Sequence, residues 1–256
     1  MDTLNFEREY LVHLYETGPD GRINLYSLFN YMQDIASDHA VKLGYGREDL
    51  LAANRFWVLS RMYAVISELP KWNDTIIIRT WPDGTDRLFA LRKFSVYYPD
   101  GIPVASASSS WLILDNATRK VQRPDAILPG YRPDQNSNDQ PVRNAVRLEP
   151  GEGKIVSTSP LRIRPSDLDV NLHTNNVTYL KWATDTYDPG FIMNHSPSAA
   201  EINYLAESLY NEEIIIRTTN DMNDGYVFNH SVIRPVDNRE LCRIKLEWKK
   251  SSVKKS

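Results

Sequence analysis

The sequence has almost no cysteine and no long apolar run. Its 256 residues include a single cysteine, Cys242, which excludes an internal disulfide and a thiolate-rich metal site. No apolar run approaches the roughly 18 residues that a membrane-spanning helix needs. The start of the chain lacks the basic stretch and apolar core of a secretory signal peptide. These absences predict a soluble globular protein in a reducing compartment, the cytoplasm.

Neither sign of charge dominates. The chain has 30 lysines and arginines and 33 aspartates and glutamates, for a formal net charge of −3. A protein that binds nucleic acid usually carries a basic excess, so the total charge gives no indication of such a partner. Hydrophobic residues make up 41% of the chain, an ordinary globular proportion. The length allows one large domain or two small ones.

A proline-rich segment divides the chain. Residues 123–154 hold five of the 15 prolines, together with the polar run 134–140. Proline removes a backbone donor and polar runs bury little apolar area, so we predict a linker here. The predicted units are residues 1–122 and residues 155–256.

The two predicted units share a repeated segment. Residues 72–80 read WNDTIIIRT and residues 210–218 read YNEEIIIRT, at a constant offset of 138. A second, looser match follows in each unit and ends in a strand-like run with Trp111 or Trp248. Two such matches favour a duplicated unit. The alternative is that short strands converge on isoleucine because of its β-propensity.

The sequence pattern of each unit predicts one long helix followed by several strands. Apolar residues recur at three- and four-residue steps over Leu25–Leu43, before Gly44, and over Val177–Tyr187, before Pro189. Alternating or β-branched runs bounded by turn residues predict ten strands. They are Phe6–Tyr15, Phe56–Ile66, Thr75–Trp81, Leu88–Tyr98, Val104–Leu114, Ile155–Arg164, Ala200–Ala206, Glu213–Thr219, Tyr226–Arg234 and Leu241–Trp248. The pattern predicts an α+β protein with two long helices, each wrapped by a curved antiparallel sheet.

Polar residues are densest just before the second helix. Asp169, Asn171 and His173 are spaced by two, so in an extended segment their side chains would point to one side. A histidine beside a carboxylate can transfer protons near neutral pH. A helix cap is the alternative, with Asn175 or Thr174 as the capping residue. The first helix has Tyr26 where the second has His173 and no adjacent carboxylate, so we expect the chemistry in the second unit alone.

The residues from Asp167 to Tyr179 read DLDVNLHTNNVTY. This stretch resembles the active-site signature of the fatty acyl–acyl carrier protein thioesterases of plant plastids and bacteria. Tyr15–Asp20, Trp57–Met62 and Trp72–Asp74 resemble further stretches of that family in order and spacing. The resemblance implies a tandem hotdog fold and hydrolysis of fatty acyl–acyl carrier protein, with no cofactor or metal. Because no transit peptide precedes Phe6, a bacterial cytoplasmic form is expected.

The same resemblance implies the site residues. The catalytic Asp, Asn and His of the family match Asp169, Asn171 and His173, and a glutamate beyond the helix matches Glu207. In the plant members of the family this glutamate is followed by cysteine, whereas in this chain Glu207 is followed by Ser208. Activated water is therefore the expected nucleophile, with Ser208 as the alternative. Cys242 lies far along the chain and is expected to be a buried apolar residue.

The resemblance also implies that the first unit holds the acyl chain. The expected tunnel residues lie on the first helix and the strand after it. They are Phe29, Met32, Ile35, Ala36, Trp57 and Met62, and Leu59 also lies on that strand. Ordinary core packing is the alternative for each of them. An acidic carrier protein would dock on basic residues. The candidates are Arg87, Arg92, Lys93 and the terminal lysines Lys245, Lys249, Lys250, Lys254 and Lys255.

Two other functions stay open at this stage. A thioesterase for coenzyme A esters would need the same hydrolytic groups, and a regulatory protein could bind acyl groups without hydrolysing them. A hotdog dehydratase is disfavoured because its acid–base pair on the helix has no counterpart here. The duplication supplies within one chain what a hotdog dimer supplies with two, so a monomer and a homodimer are both open.

Overall fold

The first predicted helix forms as α1, Leu25–Lys42, in a computed structural model of the chain. The described residues are 4–128, 130–133, 142–151, 153–220 and 225–251. The predicted linker positions Pro129, 134–140 and Pro141, and the lysines 254 and 255, lie outside them. The other helices are α2 (Arg47–Ala52), α3 (Asn176–Thr184) and α4 (Pro189–Asn194).

The strands are β1 (Phe6–Leu11), β2 (Arg55–Ile66), β3 (Thr75–Asp86), β4 (Phe89–Tyr97), β5 (Pro103–Asp115), β6 (Val121–Gln122), β7 (Lys154–Arg162), β8 (His195–Tyr204), β9 (Glu213–Asn220), β10 (Val227–Arg234) and β11 (Arg239–Lys250). Each predicted strand has a counterpart among these. The first is shorter than predicted, because a short 3-10 turn over Leu14–Glu16 follows β1. The third continues past Pro82 to Asp86.

The apolar stripe of α1 packs into the core as predicted. Leu28, Phe29, Met32 and Ile35 are fully buried, and each contributes about 1.5–3 kcal/mol relative to an exposed side chain. The helix ends before Gly44, whose φ of 75° favours glycine. The predicted helix and its end at Gly44 are confirmed.

The second predicted helix is divided in two. The prediction over Val177–Tyr187 is wrong at its end, because α3 stops at Thr184. Pro189 does not end a helix but begins α4, where its fixed φ suits the first helical position. The Asp188 side chain caps α4 by accepting a hydrogen bond from the Phe191 amide at 2.9 Å.

One antiparallel sheet runs through both halves of the chain. Its strand order is β1-β3-β4-β5-β2-β8-β11-β10-β9-β7, and β6 pairs with β5. The halves join where β2 pairs with β8, with Met62 opposite Ile202 and Ala64 opposite Ala200. From this junction outward each half repeats the same order, so β3 and β9 take equivalent places. The repeated isoleucine segments therefore occupy matching positions in the sheet.

Part of the proline-rich connection packs onto the junction. The Arg143 guanidinium pairs with both oxygens of the buried Glu201 carboxylate at 2.8 and 2.7 Å. The Val146 amide donates to the same carboxylate at 2.7 Å, and the Leu148 amide donates to Asn203 at 2.8 Å. The sheet thus binds this segment through polar side chains of β8. No helix in the described part of the chain is long and apolar enough to cross a membrane.

Candidate active site

The residues between Asp167 and Asn175 form a tight turn instead of an extended segment. The Asp169 amide donates to the His173 carbonyl at 2.8 Å, and the Leu172 amide donates to the Asp169 carbonyl at 3.0 Å. Leu172 has a φ of 62°, which is rare for a side chain of this kind. The prediction that an extended backbone aligns Asp169, Asn171 and His173 is therefore wrong. The turn brings them together.

The Asp169 carboxylate organises this turn. One oxygen accepts from the backbone amides of Asn171 at 2.8 Å and His173 at 3.2 Å. The other lies 3.4 Å from the Asn171 side-chain nitrogen. Charge-assisted bonds to backbone N–H groups are among the stronger protein hydrogen bonds. Asp169 thereby fixes the backbone from which the side chains of Asn171 and His173 project.

His173 and Glu207 face each other across the turn. The His173 Nδ1 lies 3.6 Å from a Glu207 carboxylate oxygen, and their side chains are 27% and 48% exposed. The backbone brings them close, because the Thr174 amide donates to the Ser208 carbonyl at 2.9 Å. The four residues Asp169, Asn171, His173 and Glu207 line one cavity. A carboxylate and an imidazole at this separation suit general acid–base chemistry.

The hydroxyl of Ser208 points into the protein interior. Ser208 is fully buried, donates to the Thr174 hydroxyl at 2.8 Å and bonds the Tyr179 hydroxyl at 2.7 Å. It does not line the cavity. Cys242 is also fully buried, in β11, and burial raises the pKa of its thiol. Neither side chain reaches the surface that a substrate would contact.

The cavity has a volume of about 1160 Å³ and is built from both halves. The first half supplies most of its apolar wall, from α1, α2, β2 and β5. These residues include Ala36, Ala40, Val41, Leu51, Trp57, Leu59, Leu112 and Leu114. The second half supplies the turn Asp169–His173 and the segment Tyr204–Glu207. Among the described residues, no group of three or more His, Cys, Asp or Glu side chains is arranged to hold a metal ion.

The predicted tunnel residues divide between the cavity and the core. Ala36 and Trp57 line the cavity, as does Leu59. Phe29, Met32, Ile35 and Met62 do not; they are at most 1% exposed and belong to the main core. An apolar stripe predicts burial, and burial against the sheet uses the same residue types as a tunnel wall. The small residues Ala36 and Ala40, four positions apart on one face of α1, could have indicated from the sequence which face of the helix lines the cavity.

Of the predicted docking residues, Arg92 is buried and Lys93 is only partly exposed. Arg92 is 4% exposed, lies in the cavity wall and bonds His39 at 3.0 Å and Thr80 at 3.1 Å. Burial lowers the pKa of its guanidinium. The Lys93 ammonium donates to the Val142 carbonyl at 2.6 Å, so it too has a hydrogen-bond partner within the chain. The buried Arg92 therefore cannot belong to an exposed docking surface, and the Lys93 side chain is 12% exposed.

Two polar residues of the first half reach the second half at the cavity. The Arg47 guanidinium donates to the Asn171 side-chain oxygen at 3.1 Å. The Asn176 side-chain nitrogen, at the start of α3, donates to the Gln33 side-chain oxygen of α1 at 3.3 Å. Both Arg47 and Gln33 line the cavity. Sequence reasoning missed them because each lies more than a hundred residues from its partner.

The first half contains a counterpart of the Asp169–His173 turn. The Gly18 amide donates to the Arg22 carbonyl at 2.8 Å, as Asp169 does to His173. Gly21, with a φ of 72°, takes the place of Leu172. The prediction that Tyr26 occupies the position of His173 is therefore wrong; Arg22 occupies it. Arg22 forms an ion pair with Glu68 at 2.6 Å. Arg22 in the first half therefore faces a carboxylate, as His173 faces Glu207 in the second half.

Two family models match consecutive parts of the chain. The model described as the acyl-ACP thioesterase N-terminal domain matches residues 3–131, and that of the C-terminal domain matches residues 153–250. A palmitoyl-acyl carrier protein thioesterase of Gossypium hirsutum is 26% identical, over 100% of this chain and 66% of its own length. An oleoyl-acyl carrier protein thioesterase of Coriandrum sativum is 24% identical, over 99% and 79%. The chain thus spans about two thirds to four fifths of these two chloroplastic relatives.

Solved structures with similar folds include two described as acyl-ACP thioesterases. That from Bacteroides thetaiotaomicron has a TM-score of 0.86 and 25% identity, covering 97% of this chain and 100% of its own. The 12:0-ACP thioesterase from Umbellularia californica has a TM-score of 0.81 and 23% identity, covering 97% and 95%. These likenesses confirm the α+β hotdog-type fold.

Proposed function

Because this chain belongs to the acyl-ACP thioesterase family, we propose that it hydrolyses fatty acyl–acyl carrier protein to a free fatty acid and the carrier thiol. The observation that carries the proposal is the His173–Glu207 pair, 3.6 Å apart, in which His173 lies on the turn ordered by Asp169 and Glu207 follows β8. This pair opens onto a cavity of about 1160 Å³. An apolar wall next to acid–base groups is what hydrolysis of an acyl thioester requires.

The proposed nucleophile is water. Glu207 removes one proton as the water oxygen attacks the thioester carbonyl carbon. The carbonyl oxygen becomes negatively charged, and the side chains of Asn171 and His173 stabilise that charge. Collapse of the tetrahedral intermediate breaks the carbon–sulfur bond. The departing thiolate takes a proton from the protonated Glu207, either directly or through His173, which Glu207 then reprotonates. The products are a carboxylic acid and a thiol, and both side chains return to their starting states.

The roles of the remaining residues follow from their contacts. Asp169 orients Asn171 and His173 through the bonds to their backbone amides. The burial of Ser208 between Thr174 and Tyr179 supports water over a serine nucleophile. In this proposal the first half binds the acyl chain, and the second half supplies the groups that react.

Alanine variants test the assignment of the nucleophile and base. Glu207→Ala and His173→Ala should each lower the hydrolysis rate by about a hundredfold or more, because each removes a group that transfers a proton. Ser208→Ala should retain the rate if the fold is intact. The measurement is release of free fatty acid from acyl–acyl carrier protein, with the melting temperature as a check on folding. Full activity of Glu207→Ala would contradict the proposal, as would complete loss in a folded Ser208→Ala variant.

The carrier is tested separately with one acyl group on two carriers. Faster turnover on acyl carrier protein than on coenzyme A supports the proposed substrate, and the reverse would assign a coenzyme A thioesterase. Binding without turnover on either carrier would indicate a regulatory acyl-binding protein. A bacterial cytoplasmic location remains a prediction, which cell fractionation checks. A monomer and a homodimer are both open, and analytical ultracentrifugation distinguishes them.

A further inference from the structure

Arg47 connects the first half of the chain directly to the Asp169–His173 turn. It is the first residue of α2, and its side chain lines the same cavity as Asn171. Nη1 pairs with Glu48 at 2.6 Å, and Nη2 donates to the Asn171 side-chain oxygen at 3.1 Å. The two residues are 124 positions apart in sequence. The contact therefore depends on how the two halves pack together.

The Asn171 side chain is held at both ends by groups of opposite character. Its oxygen accepts from Arg47, and its nitrogen lies 3.4 Å from the Asp169 carboxylate. A guanidinium can only donate and an ionised carboxylate can only accept. A rotation of the amide by 180° would place its nitrogen against Arg47 and its oxygen against Asp169, with no hydrogen bond at either end. These two neighbours therefore select one orientation of an exposed amide.

We propose that Arg47 is a positioning residue for thioester hydrolysis and acts by fixing the Asn171 amide. The inference rests on the proposed function, in which Asn171 stabilises the developing charge. Donors are most effective when their orientation is set before the reaction. Without Arg47, the Asn171 amide keeps only the longer contact to Asp169 and can rotate. The first half then contributes to the reacting site as well as to the acyl wall.

A guanidinium at the side of a substrate cavity could instead bind the phosphate of the carrier's prosthetic group. The contacts of Arg47 favour the positioning role. Both terminal nitrogens already have partners, and the Glu48 carboxylate beside Nη1 would repel an anion. The two roles can be distinguished by the choice of substrate. A phosphate-binding role would affect only substrates that contain the carrier's phosphate, whereas a positioning role would affect every thioester.

The test compares Arg47→Ala with the wild type on two thioesters of one fatty acid. One is the acyl carrier protein ester and the other is the N-acetylcysteamine ester, which has neither the phosphate nor the protein. Arg47→Ala should lower kcat about ten- to a hundredfold on both substrates, with KM changed less than twofold. Arg47→Lys retains a hydrogen-bond donor, so its kcat should lie between those of Arg47→Ala and the wild type. Wild-type turnover of both esters is the baseline, and its absence would instead reject the proposed function.

Arg162 offers a matched control. It donates to the Asn211 side-chain oxygen at 3.1 Å and is 54% exposed, compared with 52% for Arg47. It pairs with Glu213 as Arg47 pairs with Glu48, and it lies outside the cavity. Arg162→Ala should leave kcat and KM on both substrates unchanged.

Three outcomes with an active wild type would overturn the inference. A loss confined to the acyl carrier protein ester would assign Arg47 to the phosphate or to the carrier. A rise in KM with unchanged kcat on both esters would assign it to uniform substrate binding. An unchanged kcat and KM on both esters would leave Arg47 without a role in the reaction.

Discussion

At the scale of single residues, His230 shows how burial in the protein interior changes the pKa of an ionisable side chain. It is fully buried in β10. Its ring nitrogens bond the hydroxyls of Tyr187 at 2.9 Å and Thr218 at 3.0 Å. Burial lowers the pKa of His230 to about 3, because the imidazolium would lose its hydration. In the unfolded chain the pKa of a histidine is about 6.5.

This difference predicts acid sensitivity of the fold. Between about pH 6.5 and pH 3 the unfolded chain binds a proton at His230 that the folded chain does not, so stability falls as the pH decreases. The free energy of unfolding, measured with urea, should fall by about 2 kcal/mol more from pH 7 to pH 5 in the wild type than in His230→Gln. Glutamine can still bond both hydroxyls but does not titrate. An identical pH dependence of the two proteins would contradict this.

The residues of the proposed site were predictable to different degrees. Asp169, Asn171, His173 and Glu207 lie in local sequence patterns, and a pattern match finds such residues without knowledge of the fold. The geometry that brings them together depends on the positive φ of Leu172, which no spacing argument contains. Arg47 had no local signal at all, because its role depends on a partner in the other half of the chain.

At the scale of secondary structure elements, α1 has two apolar faces with different neighbours. One face carries Phe29, Met32 and Ile35 into the core. The other presents Ala36 and Ala40 to the cavity. Hydrophobic periodicity predicted the helix and its buried stripe, since both follow from 3.6 residues per turn. It could not separate the core from the cavity wall, because both surfaces use apolar side chains.

A larger side chain on the cavity face of α1 should shorten the preferred acyl chain. Ala36→Phe places a ring in space that the small alanine leaves open, so the longest accepted acyl group should lose about tenfold in kcat/KM relative to shorter ones. A series of acyl carrier protein thioesters of increasing length measures this. Ala52→Phe is the control, because Ala52 ends α2 and does not line the cavity. An unchanged chain-length profile of Ala36→Phe would mean that acyl groups do not reach this wall.

At the scale of the whole molecule, the junction of β2 and β8 joins the halves, and the connecting segment is bound across it. Glu201 is central to this contact: its side chain is 5% exposed, and it accepts bonds from Arg143 and from the Val146 amide. The repeat and the proline-rich segment predicted two similar halves. They could not predict that the sheet continues from one to the other, because pairing between distant strands leaves no local pattern.

Removal of the Glu201 carboxylate should destabilise the chain. Glu201→Ala leaves a half-exposed guanidinium and a backbone amide without their acceptor, which should lower the free energy of unfolding by about 2 kcal/mol. Urea unfolding measures the change. Glu213→Ala removes a carboxylate of comparable chemistry from an exposed pair with Arg162, and it should cost less than about 0.5 kcal/mol. Equal losses in the two variants would show that the segment contributes nothing through Glu201.

The counterpart turn in the first half has a consequence for stoichiometry. There the position of His173 is taken by Arg22, whose charge is held by Glu68, so the two copies of the turn are not two reaction centres. If the proposed site is the reaction centre, one chain processes one acyl group at a time. Its rate should then depend hyperbolically on substrate concentration, although its architecture has two-fold character. A sigmoidal dependence would have to arise between chains, from assembly of one copy with another.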